Sequence, residues 1–131
     1  MSAMVDTAIF KVHKKMKLPD ERKSIVHKFE VGGFEGYLIV GLYPEGTPGE
    51  VFIVISKEGS FVGGLMDSWA QLFSISLQWG TPLEVIVKNL RGQSYESGGY
   101  TSNPEIPEAD SITDYVLRWM ERKWIDNGIK P

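Results

Sequence analysis

Cations, rings and small residues gather at a few places in this chain where their chemistry suits a phosphate or a nucleotide. The first is Lys57-Glu58-Gly59-Ser60, followed by Phe61-Val62-Gly63-Gly64. At the entrance to a helix such a run offers free backbone N–H groups and the positive end of the helix dipole to an anion. Gly59 would let the anion approach closely, while Lys57 and Ser60 would add a charge and a donor beside Phe61. The Gly63-Gly64 pair fits equally well with a helix that simply packs tightly on a sheet. The second set is Lys88, Arg91, Tyr95 and Tyr100, because aromatic faces and guanidinium planes stack on bases while Lys and Arg pair with phosphate. These residues would also serve to close a helix and cover a core. Arg22-Lys23 and the run His13-Lys14-Lys15-Met16-Lys17 could meet one or two phosphates or form a solvated arm. His27 precedes Lys28 in a strand-like stretch and shares parity with its apolar positions, which is the place of a core histidine as much as of a ligand.

Other chemistries lack their residues. There is no cysteine, so disulfides, thiolate metal sites and thiol nucleophiles are excluded, and His13 and His27 are the only imidazoles. Dinucleotide and phosphate-loop glycine patterns and a nucleophile elbow are missing. Glu30, Glu35 and Glu50 lie near strands, but alternating acids on a solvent face account for them without a catalytic pair. No catalytic residues, metal or cofactor are therefore expected, and the chain is read as a binding module. A net charge of −3 argues against general nucleic-acid binding, which depends on surplus Lys and Arg. No apolar run reaches the length of a membrane span, and Met1 to Met16 lacks the pattern of a secretion signal, so a cytoplasmic protein is expected.

The elements that must position these residues form one domain, as suits 131 residues. Residues 1–23 read as a basic N-terminal arm or linker, and 24–131 as a single α+β domain. Ser24 to Val31 alternates Ile25, His27, Phe29 and Val31 against Lys28 and Glu30, as a half-buried strand does. Tyr37 to Tyr43 and Glu50 to Ser56 supply two more antiparallel strands across turns rich in glycine and proline. Val62 to Trp79 reads as a long helix with Asp67, Gln71, Ser74 and Gln78 as one polar stripe. So narrow a stripe predicts burial on most sides, with Leu65, Met66, Trp69, Leu72, Phe73 and Trp79 at a homo-oligomer interface. Thr81-Pro82-Leu83-Glu84 predicts a capping box opening a short helix to Gly92. Ser97 to Pro107 reads as a loop, after which Ser111 caps a last helix. The sum is a small antiparallel sheet with helices on one face.

Thr101-Ser102-Asn103-Pro104-Glu105 closes a wider pattern. It begins at Leu18-Pro19-Asp20-Glu21-Arg22 and runs through His27-Lys28-Phe29, Val40-Gly41-Leu42-Tyr43, Gly46-Thr47-Pro48-Gly49-Glu50 and Ser111-Ile112-Thr113-Asp114-Tyr115. In order and spacing this resembles the small C-terminal module of cobalamin-dependent (class II) ribonucleotide reductases, named for a Thr-Ser-Cys-Pro-Asp signature. Asn103 stands where that signature has cysteine and Glu105 where it has aspartate. Asn103 can hydrogen-bond at such a site but cannot perform thiol redox chemistry. The resemblance implies that the reductase's barrel, radical cysteines and cobalamin site lie outside this module. In size and element order the chain is also similar to phage and prophage Thoeris anti-defence sponges. That likeness implies an oligomeric protein in the host cytoplasm that sequesters a cyclic ADP-ribose-type or cyclic oligonucleotide signal without turnover. The alternative is an accessory subunit docking in trans on a cobalamin-dependent reductase, and a nucleotide hydrolase ranks last.

Overall fold

A computed structural model describes residues 14–56, 61–95 and 98–127. Three strands, β1 (Ser24–Val31), β2 (Phe34–Leu42) and β3 (Pro48–Ile55), form an antiparallel sheet in that order. Helix α1 (Phe61–Gln78) follows, then α2 (Leu83–Leu90), a two-residue pair β4 (Gly99–Tyr100) and β5 (Glu108–Ala109), α3 (Ile112–Met120), and a π-helical turn from Glu121 to Asp126. The fold is α+β, as the alternation pattern predicted. The short β4–β5 ladder lies within and just beyond the stretch read as loop, because two paired residues leave no alternation to detect.

Register places His27 opposite Leu38, which in turn faces Ile53, and Phe29 opposite Gly36, which faces Ile55. These inward rows meet α1 and α3 in one core, where Phe29, Leu38, Ile53, Tyr115, Leu117 and Met120 are fully buried. The opposite sheet face carries Val26, Tyr37, Phe52 and Val54, all exposed.

Helix α1 departs from the single-stripe expectation. Its inward face is Ala70, Phe73 and Leu77, with Met66 and Trp69 half-buried against the same core and Trp69 edge-on to Phe73 at 5.2 Å. Of the polar stripe, Asp67 and Gln71 meet solvent, whereas Ser74 and Gln78 turn to the open edge of β3. The Val51 N–H donates to Ser74 Oγ at 2.8 Å, and Gln78 Nε2 donates to the Gly49 carbonyl at 3.1 Å. An edge strand must satisfy its outward backbone groups, and here a helix side chain does so. The remaining side of α1 is apolar and exposed: Phe61, Leu65, Leu72, Ile75 and Trp79.

The capping box at Thr81 is not formed. Pro82 is itself the N-cap of α2, in extended conformation and with no side-chain cap bond, so the helix begins one residue later than the pattern implied. At its far end Arg91 is the C-cap, and Gly92 follows at φ 86°, the left-handed position that closes helices. Ser111 caps α3 as expected, its Oγ accepting from the Asp114 N–H at 3.0 Å.

The described part of the basic lead-in, residues 14–23, is bound to the domain. The Met16 N–H donates to the Gln78 carbonyl, Tyr43 Oη donates to the Met16 carbonyl, and Leu18 is buried. Gly49 makes this seating possible: a Cβ there would lie 2.6 Å from Leu18 and 2.7 Å from Tyr43.

Candidate functional site

The signature loop is built to close the free edge of β1. The Ser102 N–H donates to the Glu30 carbonyl, and the Glu30 N–H donates back to Ser102 Oγ, both at 3.1 Å. Thr101 bridges to Val31, and the Gly32 N–H donates to the Tyr100 carbonyl at 2.9 Å. Within the loop, Thr101 Oγ1 accepts from the Asn103 N–H and donates to the Asn103 and Ile106 carbonyls, while Asn103 Oδ1 accepts from the Glu105 N–H at 3.0 Å. Short polar side chains that bond their own backbone fold a turn of this kind.

Asn103 also reaches into the core. Its Nδ2 donates to Tyr115 Oη at 3.2 Å, and Tyr115 Oη lies 2.7 Å from His27 Nε2. The His27 ring stacks on Trp119 at 4.9 Å and on Tyr115 at 5.9 Å, and Lys123 Nζ sits 5.1 Å above Trp119. Burial, and then the charge of Lys123, hold the imidazole below its ordinary pKa; burial raises that of the Tyr115 phenol, with the Asn103 bond partly offsetting it. The imidazole is therefore neutral near pH 7. A donor in Asn103 then orients the phenol to donate to His27 Nε2, which places the ring proton on Nδ1. This relay links the signature, β1 and α3 through His27, Tyr115 and Asn103. The parity of His27 with its apolar neighbours agrees with its place on the inner sheet face, but Tyr115 as the bridging group had no sequence signal.

The second feature is a cleft of about 590 Å³ lined by Tyr95, Gly99, Tyr100, Glu108, Asp110 and Arg118, among others. Tyr95 and Tyr100 are exposed, so the structure brings together two rings named from the sequence. Arg118 was missed, although its spacing of four from Asp114 on a helix was readable. Arg118 Nε donates to Asp114 Oδ2 at 2.7 Å, and Arg118 Nη2 is 3.9 Å from Asp110. Asp114 is fully buried and also accepts from the Gly92 N–H at 2.7 Å and the Asp110 N–H at 2.8 Å. Burial pushes its carboxyl pKa up, but the bonds from Asp110, Arg118 and Gly92 outweigh that and hold it below the usual range. With Arg118 neutralised and Glu108 and Asp110 nearby, the cleft suits a base or a hydroxyl-bearing ring better than a string of phosphates.

The other named residues are dispersed. Lys57, Gly59 and Ser60 lie outside the described residues, and Phe61 opens α1 with its ring exposed. Lys88 is exposed in the last turn of α2, and Arg91 pairs with Glu121. Arg22 forks onto Glu50 and the Pro19 carbonyl, fastening the lead-in to β3. Lys28 is exposed on the outer sheet face, opposite Tyr37. Of the described cations, Arg22, Lys28, Lys88 and Arg91 do not line the tyrosine cleft.

Among the described residues no group of three or more His, Cys, Asp or Glu side chains could hold a metal, and no helix is long and apolar enough to cross a membrane. The described imidazole, His27, has Nε2 committed to Tyr115 and its ring stacked between aromatic neighbours, so it does not fit the role of an axial ligand to a cobalamin.

Comparison with known proteins gives a consistent result. Vitamin B12-dependent ribonucleotide reductase of Rhodopirellula baltica is 49% identical over 116 residues, 88% of this chain and 11% of the reductase. The same enzyme of Streptantibioticus cattleyicolor is 41% identical over 78% of this chain and 17% of its own length, and that of Bradyrhizobium diazoefficiens 37% over 84% and 9%. The chain thus spans less than a fifth of the length of these relatives. No solved structure matches it. The model of the TSCPD domain matches residues 11–123, nearly the whole fold described above, and the chain belongs to the TSCPD domain family.

Proposed function

We propose that this protein serves as the accessory module of a cobalamin-dependent ribonucleotide reductase, docking on the catalytic body of that enzyme. The observation that carries this reading is the match itself: 88% of the chain aligns at 49% identity with a segment that is 11% of a vitamin B12-dependent ribonucleotide reductase. Two structural features support it. The loop that names the family is occupied with its own backbone, β1 and Tyr115, which suits a scaffold rather than a reaction centre. The outer sheet face leaves Val26, Tyr37, Phe52 and Val54 open to a partner. In this role the module has no catalytic residue of its own and no thiol to exchange. The test is to mix the chain with a reductase whose own homologous segment has been removed and to measure complex formation by light scattering. A complex weakened by Phe52→Glu supports the reading, and the absence of any complex refutes it.

A second reading, capture of a nucleotide signal without turnover as in an anti-defence sponge, has one feature in its favour: Tyr95 and Tyr100 open together on a cleft beside Arg118. Rings so placed can stack on a base. Incubation with cyclic ADP-ribose-type and cyclic oligonucleotide ligands, removal of unbound material and heat release would recover an intact molecule on this reading. Retention unchanged by Tyr100→Ala would remove the cleft from it.

A further inference from the structure

The exposed apolar residues of α1 are regularly spaced. Phe61, Leu65, Ser68, Leu72, Ile75 and Trp79 follow one another at intervals of four and three, the repeat that places side chains in one seam against a neighbouring helix. At 100° per residue they fall in one band, roughly 130° round the helix from the inward face of Phe73 and Leu77. The chain's own core cannot use this band, since it is filled from the other side by Ala70, Phe73 and Leu77. Exposures are high for apolar residues: Phe61 81%, Leu65 49%, Leu72 64%, Ile75 46% and Trp79 38%.

We infer that α1 pairs with α1 of a second copy of this chain, antiparallel about an axis between Ser68 and Leu72. Heptad spacing calls for a helix as occupant, and a two-fold pair presents each seam with one of equal length and complementary order. Phe61 then meets the partner's Trp79, Leu65 the partner's Ile75, and Ser68 gives room to the partner's Leu72. The band contains no charged residue, so two copies bring no like charges together. An antiparallel pair also sets each helix N-terminus beside the other's C-terminus, where the dipoles attract.

Area supports a stable pair. Weighted by side-chain size, the five apolar residues expose roughly 500 Å² per copy, against about 800 Å² per partner in a typical stable interface. Gly64 and Gln71, both exposed, flank them, and Ser68 lies exposed within the seam. Met66, Trp69 and Phe73 contribute nothing to the seam because they face the chain's own core.

The experiment uses the full chain, which has no cysteine, so any introduced thiol is unique. Sedimentation at micromolar concentration should give twice the chain mass. Leu72→Glu is at an exposed position and should leave the far-ultraviolet spectrum unchanged while weakening association at least about a hundredfold, the effect of burying an unpaired carboxylate. Ser68→Cys, treated with a short bis-maleimide, should cross-link into dimers. Lys28→Cys, on the outer sheet face, should not. A monomeric wild type overturns the inference. So does a dimer that survives Leu72→Glu or cross-links through Lys28→Cys and not Ser68→Cys.

Discussion

Replacing Asp114 tests the polar centre that joins the α2 terminus, the β5 end and α3. Its carboxylate is fully buried and takes three bonds, from the Gly92 N–H, the Asp110 N–H and Arg118 Nε, at 2.7, 2.8 and 2.7 Å. Asp114→Ala leaves two backbone donors and a half-buried guanidinium without their acceptor. Breaking a buried charged pair costs about 3–5 kcal/mol, a large part of the 5–15 kcal/mol that holds a small domain together. Asp114→Asn keeps the volume and one acceptor oxygen but faces an N–H₂ toward donors, so a loss of about 2–3 kcal/mol is expected. The double variant Asp114→Asn, Arg118→Met should lose less than the two single losses combined, because it leaves no unpaired charge. Urea unfolding followed by the fluorescence of Trp119 and Trp124 reads these differences. The acid limb gives a second test. Because the folded carboxyl pKa lies below its unfolded value of about 4, the carboxylate's stabilisation is present above pH 4 and is lost as pH falls through the folded value. Asp114→Asn should lack that component. An Asp114→Ala protein within about 0.5 kcal/mol of wild type would refute the assignment of this residue as a hub.

Three further outcomes follow from the same geometry. The His27 pKa is lowered by burial and Lys123, so its contribution is complete above the unfolded value of about 6.5 and declines as pH falls below it; His27→Phe should flatten the stability profile below about pH 6.5, measured by thermal melts. Ser74→Ala should cost about 1–3 kcal/mol by leaving the Val51 N–H unpaired, and faster amide exchange at Val51 by NMR would locate the damage. Asn103→Cys places the family's signature residue in a site where Asn103 now bonds both Tyr115 and the Glu105 N–H; a loss of about 1 kcal/mol is expected in urea melts, and unchanged stability would mean that neither bond contributes.

What the sequence disclosed depended on whether a local pattern had one structural solution. Alternation from Ile25 to Val31 placed His27 on the inner face, and Ser111 after the glycine- and proline-rich loop placed the α3 cap, because both patterns are decided within a few residues. The capping pattern at Thr81 was ambiguous in the same local sense: Pro82 can open a helix or precede it, and it precedes it. Helix α1 shows the limit most clearly. Its residues fall into three bands, and composition alone merges two of them into one apolar surface. Only the position of β3 separates Phe73 and Leu77, which fill the core, from Leu65, Leu72 and Trp79, which face outward. The same tertiary fact reverses the meaning of Ser74 and Gln78: on an isolated helix they mark the solvent side, but beside an unpaired strand edge they are its hydrogen-bond partners. The site residues divide on this principle as well. Tyr95 and Tyr100 converge beside Arg118 because the Tyr95 N–H donates to the Asp110 carbonyl and β4 pairs with β5, contacts made by a few residues that leave no periodic trace. Lys88 and Arg91, equally apt by residue type, end on the terminus of α2 and face elsewhere. Residue chemistry therefore names candidate groups by type, whereas edge pairing determines which of them meet.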